Sequence, residues 1–68
     1  MSQTTTYTVT GMTCGHCVAS VTEEVQEIAG VENVAVDLPT GAVTITSAEP
    51  LDDAAVRAAV EEAGYQVA

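Results

Sequence analysis

Two stretches of helical period, each closed by an Ala-Gly pair, constrain this chain more than any other feature. Val18, Val21, Val25 and Ile28 recur at spacings of three and four, with Glu23, Glu24 and Glu27 on the opposite face. Val56, Ala59, Val60 and Ala63 form a second such stripe. Ala29-Gly30-Val31 and Ala63-Gly64-Tyr65 then turn each helix into the next segment, glycine being favoured just past a helix C-terminus. Around these stretches the period changes to two. Thr5 to Thr10 alternates, with Tyr7 and Val9 on one side and threonines on the other. Val34, Val36 and Leu38 alternate as a second strand, and Val43 and Ile45 as a third. Pro39-Thr40-Gly41 is a turn, so the second and third strands form a hairpin. Pro50-Leu51-Asp52-Asp53 opens the second helix, with Asp52 as N-cap and Leu51 stapled onto Val56. Asp53 and Arg57 are an i,i+4 pair. Tyr65-Gln66-Val67 is a short final strand.

The order is β-α-β-β-α-β. This is the split βαβ pattern of the ferredoxin-like α+β fold, a four-stranded antiparallel sheet with both helices on one face. One apolar stripe and one charged side per helix suit a two-layer sandwich. The 68 residues allow one domain, residues 1–68. A chain of this size buries only about 60% of its unfolded surface. Its core material is light, with eleven valines, eleven alanines and no Phe or Trp. A shallow site near the surface is expected, since deep clefts need larger side chains.

Ten acidic residues against a single base, Arg57, give a net charge of −9. A nucleic-acid binder is excluded, because one arginine makes no basic stripe. A polybasic membrane anchor is excluded for the same reason. The 47% of hydrophobic residues argues for a packed core, where disordered acidic chains are poor in apolar residues. No apolar run is long enough to insert across a membrane. Met1 to Thr6 has neither the positive region nor the apolar region of a secretory signal. Taken as a complete chain, the protein is expected in the cytoplasm. Its two cysteines are then reduced and free for metal binding or catalysis.

Chemistry concentrates in Cys14-Gly15-His16-Cys17, on the first βα loop with Cys17 entering the helix. At this spacing both sulfurs can turn toward one point. The positive end of the helix lowers a thiol pKa, most for Cys17, and the thiolate is the metal-binding form. A structural zinc site takes four ligands, and this chain has one cysteine pair and one histidine. Cu(I) is soft, favours thiolates and accepts low coordination numbers. An exposed, under-coordinated dithiolate leaves room for a third sulfur to approach, which suits handing the ion on.

Gly11-Met12-Thr13-Cys14-Gly15-His16-Cys17 resembles the signature loop of the heavy-metal-associated domain, and the resemblance extends over essentially the whole chain. That family includes bacterial copper chaperones and the N-terminal domains of copper-transporting P-type ATPases. The resemblance implies that Cys14 and Cys17 are the Cu(I) ligands and that Met12 is a core residue propping the loop. It matches Tyr65 to the aromatic that bacterial chaperones place beside the metal loop. Thr13 stands where zinc and cadmium members commonly carry an acidic residue, which favours copper. Many bacterial chaperones of the family use several lysines for docking, and this chain has none.

Alternatives stand beside these readings. His16 is a ligand, a tuner of the thiols, or solvated surface. Tyr65 either shields copper or only covers the sheet edge. The functional reading is a cytosolic carrier that passes Cu(I) to a copper-transporting P-type ATPase without an enzymatic step. It is a monomer when apo, and its exposed dithiolate could share copper between two copies. A second reading is the isolated N-terminal domain of such an ATPase. A third is a thiol–disulfide oxidoreductase, since Cys-Gly-His-Cys is also the active-site sequence of protein disulfide isomerase. Those domains are thioredoxin-like and usually place Trp before the first cysteine, where this chain has Thr13. No acidic residue precedes Glu23, so the metal loop is an uncharged patch on an acidic body. The partner's docking face is therefore expected to be neutral or basic.

Overall fold

The computed structural model describes residues 2–68. Its elements are β1 (Gln3–Thr10), α1 (Gly15–Gln26), β2 (Val31–Asp37), β3 (Ala42–Ser47), α2 (Asp53–Glu62) and β4 (Gln66–Val67). They form one four-stranded sheet in the order β2-β3-β1-β4, with every neighbouring pair antiparallel. The ferredoxin-like reading of the sequence is borne out.

Alternation decides which face of the sheet is covered. Val9, Val43 and Ile45 point inward and join Val21 and Val25 of α1 and Val56 and Val60 of α2 in one buried cluster. Thr4, Thr6, Thr8 and Thr10 point to the other, open face and stay exposed. The register pairs Thr6 with Thr44 across β1 and β3, and their hydroxyls lie 3.3 Å apart. Both helices therefore share one side of the sheet, against each other.

The second helix forms as its sequence dictates. The Asp52 carboxylate accepts from Ala54 N–H at 3.0 Å as the N-cap, and Leu51 packs against the cluster that holds Val56. Asp53, expected to pair with Arg57, instead accepts a hydrogen bond from the Tyr7 hydroxyl at 2.7 Å. That bond ties the start of α2 to the central strand. Partial burial and the Asp53 carboxylate beside it push the Tyr7 phenol up to about 12.

Several boundaries differ from the sequence reading. Helix α1 ends at Gln26 with Glu27 as C-cap, so Ile28 lies beyond it. The last turn tightens into i→i−3 bonds, Glu27 N–H to Glu24 and Ile28 N–H to Val25, which releases the chain three residues before Gly30. Strand β1 starts at Gln3 because β3 offers partners as far as Ser47. Strand β2 starts at Val31, across a bulge between Val31 and Asn33, and ends at Asp37, leaving Leu38 in the turn. Tyr65 precedes β4.

The inward positions carry the stability. Ile45 is fully buried at the centre of the cluster. Ile45→Ala is expected to cost about 2–5 kcal/mol, read as a lower urea midpoint at unchanged slope. Thr6→Ala, on the open face, is expected to stay within about 0.5 kcal/mol.

Candidate metal centre

The loop between β1 and α1 brings the two thiols together. Cys14 is the N-cap of α1, with extended backbone (φ −157°, ψ 171°), and its carbonyl accepts from Cys17 N–H at 3.1 Å and Val18 N–H at 3.3 Å. The helix thus begins at Gly15, and Cys17 lies within its first turn rather than at its entrance. A sulfur occupies the cap position and makes no capping hydrogen bond. No acidic residue stands in the first turn, so the positive end of the helix dipole is left to the sulfurs.

The Sγ atoms of Cys14 and Cys17 lie 3.6 Å apart. Both cysteines are free; Cys14 is exposed and Cys17 half-buried. The Thr13 hydroxyl lies 3.9 Å from Cys17 Sγ. The Cys17 thiol is lowered to about 6, first by the Tyr65 hydroxyl beside it, then by the Thr13 backbone and the Cys14 thiol. The same interaction raises the Tyr65 phenol, with partial burial adding to it.

Tyr65 reaches the loop through the end of α2. Gly64 adopts φ +96° just past the C-cap Ala63. Its N–H donates to the Glu61 carbonyl at 2.9 Å, and Tyr65 N–H donates to the Val60 carbonyl at 3.0 Å. This pair of bonds is the Schellman motif, and its left-handed residue is nearly always glycine. It aims Tyr65 at the loop, where the ring packs against Gly11. A Cβ on Gly11, itself at φ +91°, would stand 3.3 Å from Tyr65 Cδ1. Pairing of Val9 with Val67 and Thr10 with Gln66 holds the two segments side by side.

Other residues singled out in the sequence take different places. Met12 is half-buried and packs against the core cluster, below the loop. His16 is exposed on the first turn of α1, and it is not among the groups that move the Cys17 thiol. Among the described residues, no group of three or more His, Cys, Asp or Glu side chains gathers in a way that could hold a metal ion. His16 therefore does not close a three-ligand site with the cysteines. Tyr65 and Thr13, both expected around the cysteines, bear on the same one of the two thiols, Cys17. The Tyr65 hydroxyl is the largest influence lowering the Cys17 thiol. Thr13 touches Cys17 across one helical turn, an i,i+4 relation that was readable in the sequence.

A family profile described as the heavy-metal-associated domain matches residues 6–66. The chain belongs to the heavy-metal-associated domain family. Copper chaperone CopZ of Bacillus subtilis is 39% identical over 64 residues, covering 93% of this chain and 93% of that protein. Copper-transporting ATPase 1 of Rhizobium meliloti is 39% identical over 59 residues, covering 87% of this chain. The chain spans only 7% of that ATPase's length. Among solved structures, a CopZ metallochaperone superposes with a TM-score of 0.90 at 30% identity, over 97% of this chain and 100% of that one. The heavy-metal-associated relatives are thus both small carriers and a segment of a transporter.

The site chemistry is open to a direct check. In the reduced metal-free protein, the rate of Cys17 alkylation is expected to rise through a pH near the lowered value of about 6. Tyr65→Phe is expected to move that inflection upward, because it removes the largest lowering influence. His16→Ala is expected to leave it in place. Mass-resolved labelling against pH, which separates the two thiols, reads all three.

Proposed function

We propose that this protein is a cytoplasmic carrier of Cu(I). In this reading Cys14 and Cys17 hold the ion as a dithiolate and pass it to the metal-binding domain of a copper-transporting P-type ATPase. The observation that carries the reading is a pair of thiols 3.6 Å apart at an uncapped helix start. The names of the CopZ relatives support copper as the cargo. In this reading only metal–sulfur bonds form and break and the cargo is released chemically unchanged, so no enzymatic step is involved.

The donor set suits a soft monovalent ion. With metal–sulfur bonds of about 2.3 Å, two sulfurs stand about 3.8 Å apart at a tetrahedral angle and about 4.6 Å apart in a straight line. The apo separation is close to the first value. Cys14 is the more exposed of the two thiols, so it is the one whose rotation would open the pair toward the second. Thiolates select Cu(I) over harder ions, and no carboxylate precedes Glu23 to repel the anionic centre. Thr13 leaves the position before Cys14 neutral. Tyr65 and Thr13 steady Cys17, and Met12 props the loop from the core side.

Transfer follows from the exposure of the site. A thiolate of the partner attacks the bound ion, giving three sulfur ligands. One of the original thiolates then leaves and takes up a proton or rotates away. The oxidation state of copper is unchanged throughout. The partner's docking face is neutral or basic near its own cysteines, to complement the acidic body of this chain. If that face is basic, association slows as salt rises.

A second reading is that these residues serve as a metal-binding domain of an ATPase itself, and the match to the Rhizobium meliloti ATPase supports it. The cysteine chemistry is the same in both.

Competition between the reduced protein and a Cu(I) chelator tests the binding step. One equivalent of Cu(I) is expected on the wild-type chain. The Cys14→Ser, Cys17→Ser variant is expected to lose more than the about 10–100-fold that loss of an outer neighbour costs a metal site. Equal affinities in the two proteins would overturn the proposal.

A further inference from the structure

We propose that the stability of the fold depends on ionic strength: in dilute salt the acidic surface destabilises the folded state, and the fold that assembles the two-thiol site gains stability as cations screen that surface. The proposal concerns folding and stands apart from the identity of the cargo.

Charge and size set the scale. Ten carboxylates face one guanidinium, and the chain has no lysine. The body measures 33 × 20 × 18 Å. The screening length is about 30 Å at 0.01 M salt, about 10 Å at 0.1 M and about 3 Å at 1 M. In dilute salt, then, every carboxylate acts on most of the others. Only near molar salt does the repulsion shrink to contact range.

Placement makes the repulsion worse than the net charge implies. Glu23, Glu24 and Glu27 lie at the C-terminal end of α1, and Glu61 and Glu62 in the last turn of α2. These are the negative ends of the helix dipoles, where cations are favoured and anions are not. Neither helix has a basic residue in its last turn. Only Asp52 and Asp53 sit at a favourable, N-terminal end. The acidic ends also act across the helix pair. The Glu24 carboxyl is raised, first by partial burial and then by Glu27, Glu62 and Glu23.

The core that opposes this field is light: its buried apolar cluster is six valines and one isoleucine, with half-buried residues packed on it, and Val21, Val25, Val56 and Val60 of that cluster belong to the helices that repel. The repulsion also falls next to the site. Glu61 and Val60 supply the two carbonyls that hold the Gly64-Tyr65 turn, and that turn places Tyr65 on Cys17. Loss of the last turn of α2 would free both.

The test is unfolding of the reduced, metal-free chain, followed by far-ultraviolet circular dichroism, from about 10 mM to about 1 M KCl. The melting midpoint is expected to rise by about 10 °C over that range. Tetramethylammonium chloride is expected to act like KCl, because screening depends on charge and not on surface exclusion. A Glu23→Gln, Glu24→Gln, Glu27→Gln, Glu62→Gln variant is expected to melt higher than wild type in dilute salt and to respond less to added KCl. A midpoint that does not move with KCl would overturn the proposal. So would a variant that keeps the full wild-type salt response, or stabilisation by KCl alone.

Discussion

Strand β1 is hydrogen-bonded on both sides, and the rest of the molecule depends on that double pairing. Gln3 to Thr8 pair with β3, and Val9 and Thr10 pair with β4. The same strand sends Val9 into the core and ties Tyr7 to the start of α2. Its last residue leads directly into the loop that carries the thiols. Because Val9 meets Val67, the site is assembled only when the two ends of the chain come together. Closing so long a loop costs entropy before any contact rewards it. The candidate metal centre is thus a consequence of the whole fold, although its two thiols are only three residues apart in sequence.

The two helices begin in opposite ways, and the contrast falls at the candidate site. Helix α2 has an oxygen cap, with Asp52 bonded to Ala54 N–H. Helix α1 has a sulfur at the same position and no side-chain cap. Replacing a good cap by a poor one costs about 1 kcal/mol. In its place, the Tyr65 hydroxyl, the Thr13 backbone and the Cys14 thiol bias Cys17 toward the thiolate. A local rule broken at one position while its counterpart is obeyed elsewhere is the pattern expected of a working site.

Much of this was readable before the fold was known. The Asp52 cap, the Val34–Val36 and Val43–Ile45 hairpin, and the cysteine pair beside a helix start all rest on local patterns. Local patterns failed where a distant partner decided the outcome. Ile28 continues the helical stripe of α1, yet the chain leaves the helix before it and packs it against the core from a turn. Asp53 has Arg57 at ideal helical spacing, yet Tyr7 takes its carboxylate from across the sheet. Tyr65, expected beside the metal loop, also reads as a strand residue; the turn at Gly64, not the strand, is what aims it at Cys17. Ser47 alternates as an inward position of β3 and is fully buried, its hydroxyl satisfied by the Glu49 carbonyl at 2.6 Å. Nothing in the strand pattern announces that bond.

The central claim is that two thiolates, and no third side chain of this protein, hold a soft monovalent ion. X-ray absorption at the copper edge of the Cu(I)-loaded protein tests it most directly. The account predicts a first shell of sulfur alone in the monomer, two atoms, unchanged in His16→Ala. A nitrogen in that shell that vanishes in His16→Ala, or a shell that survives Cys14→Ser, would contradict it.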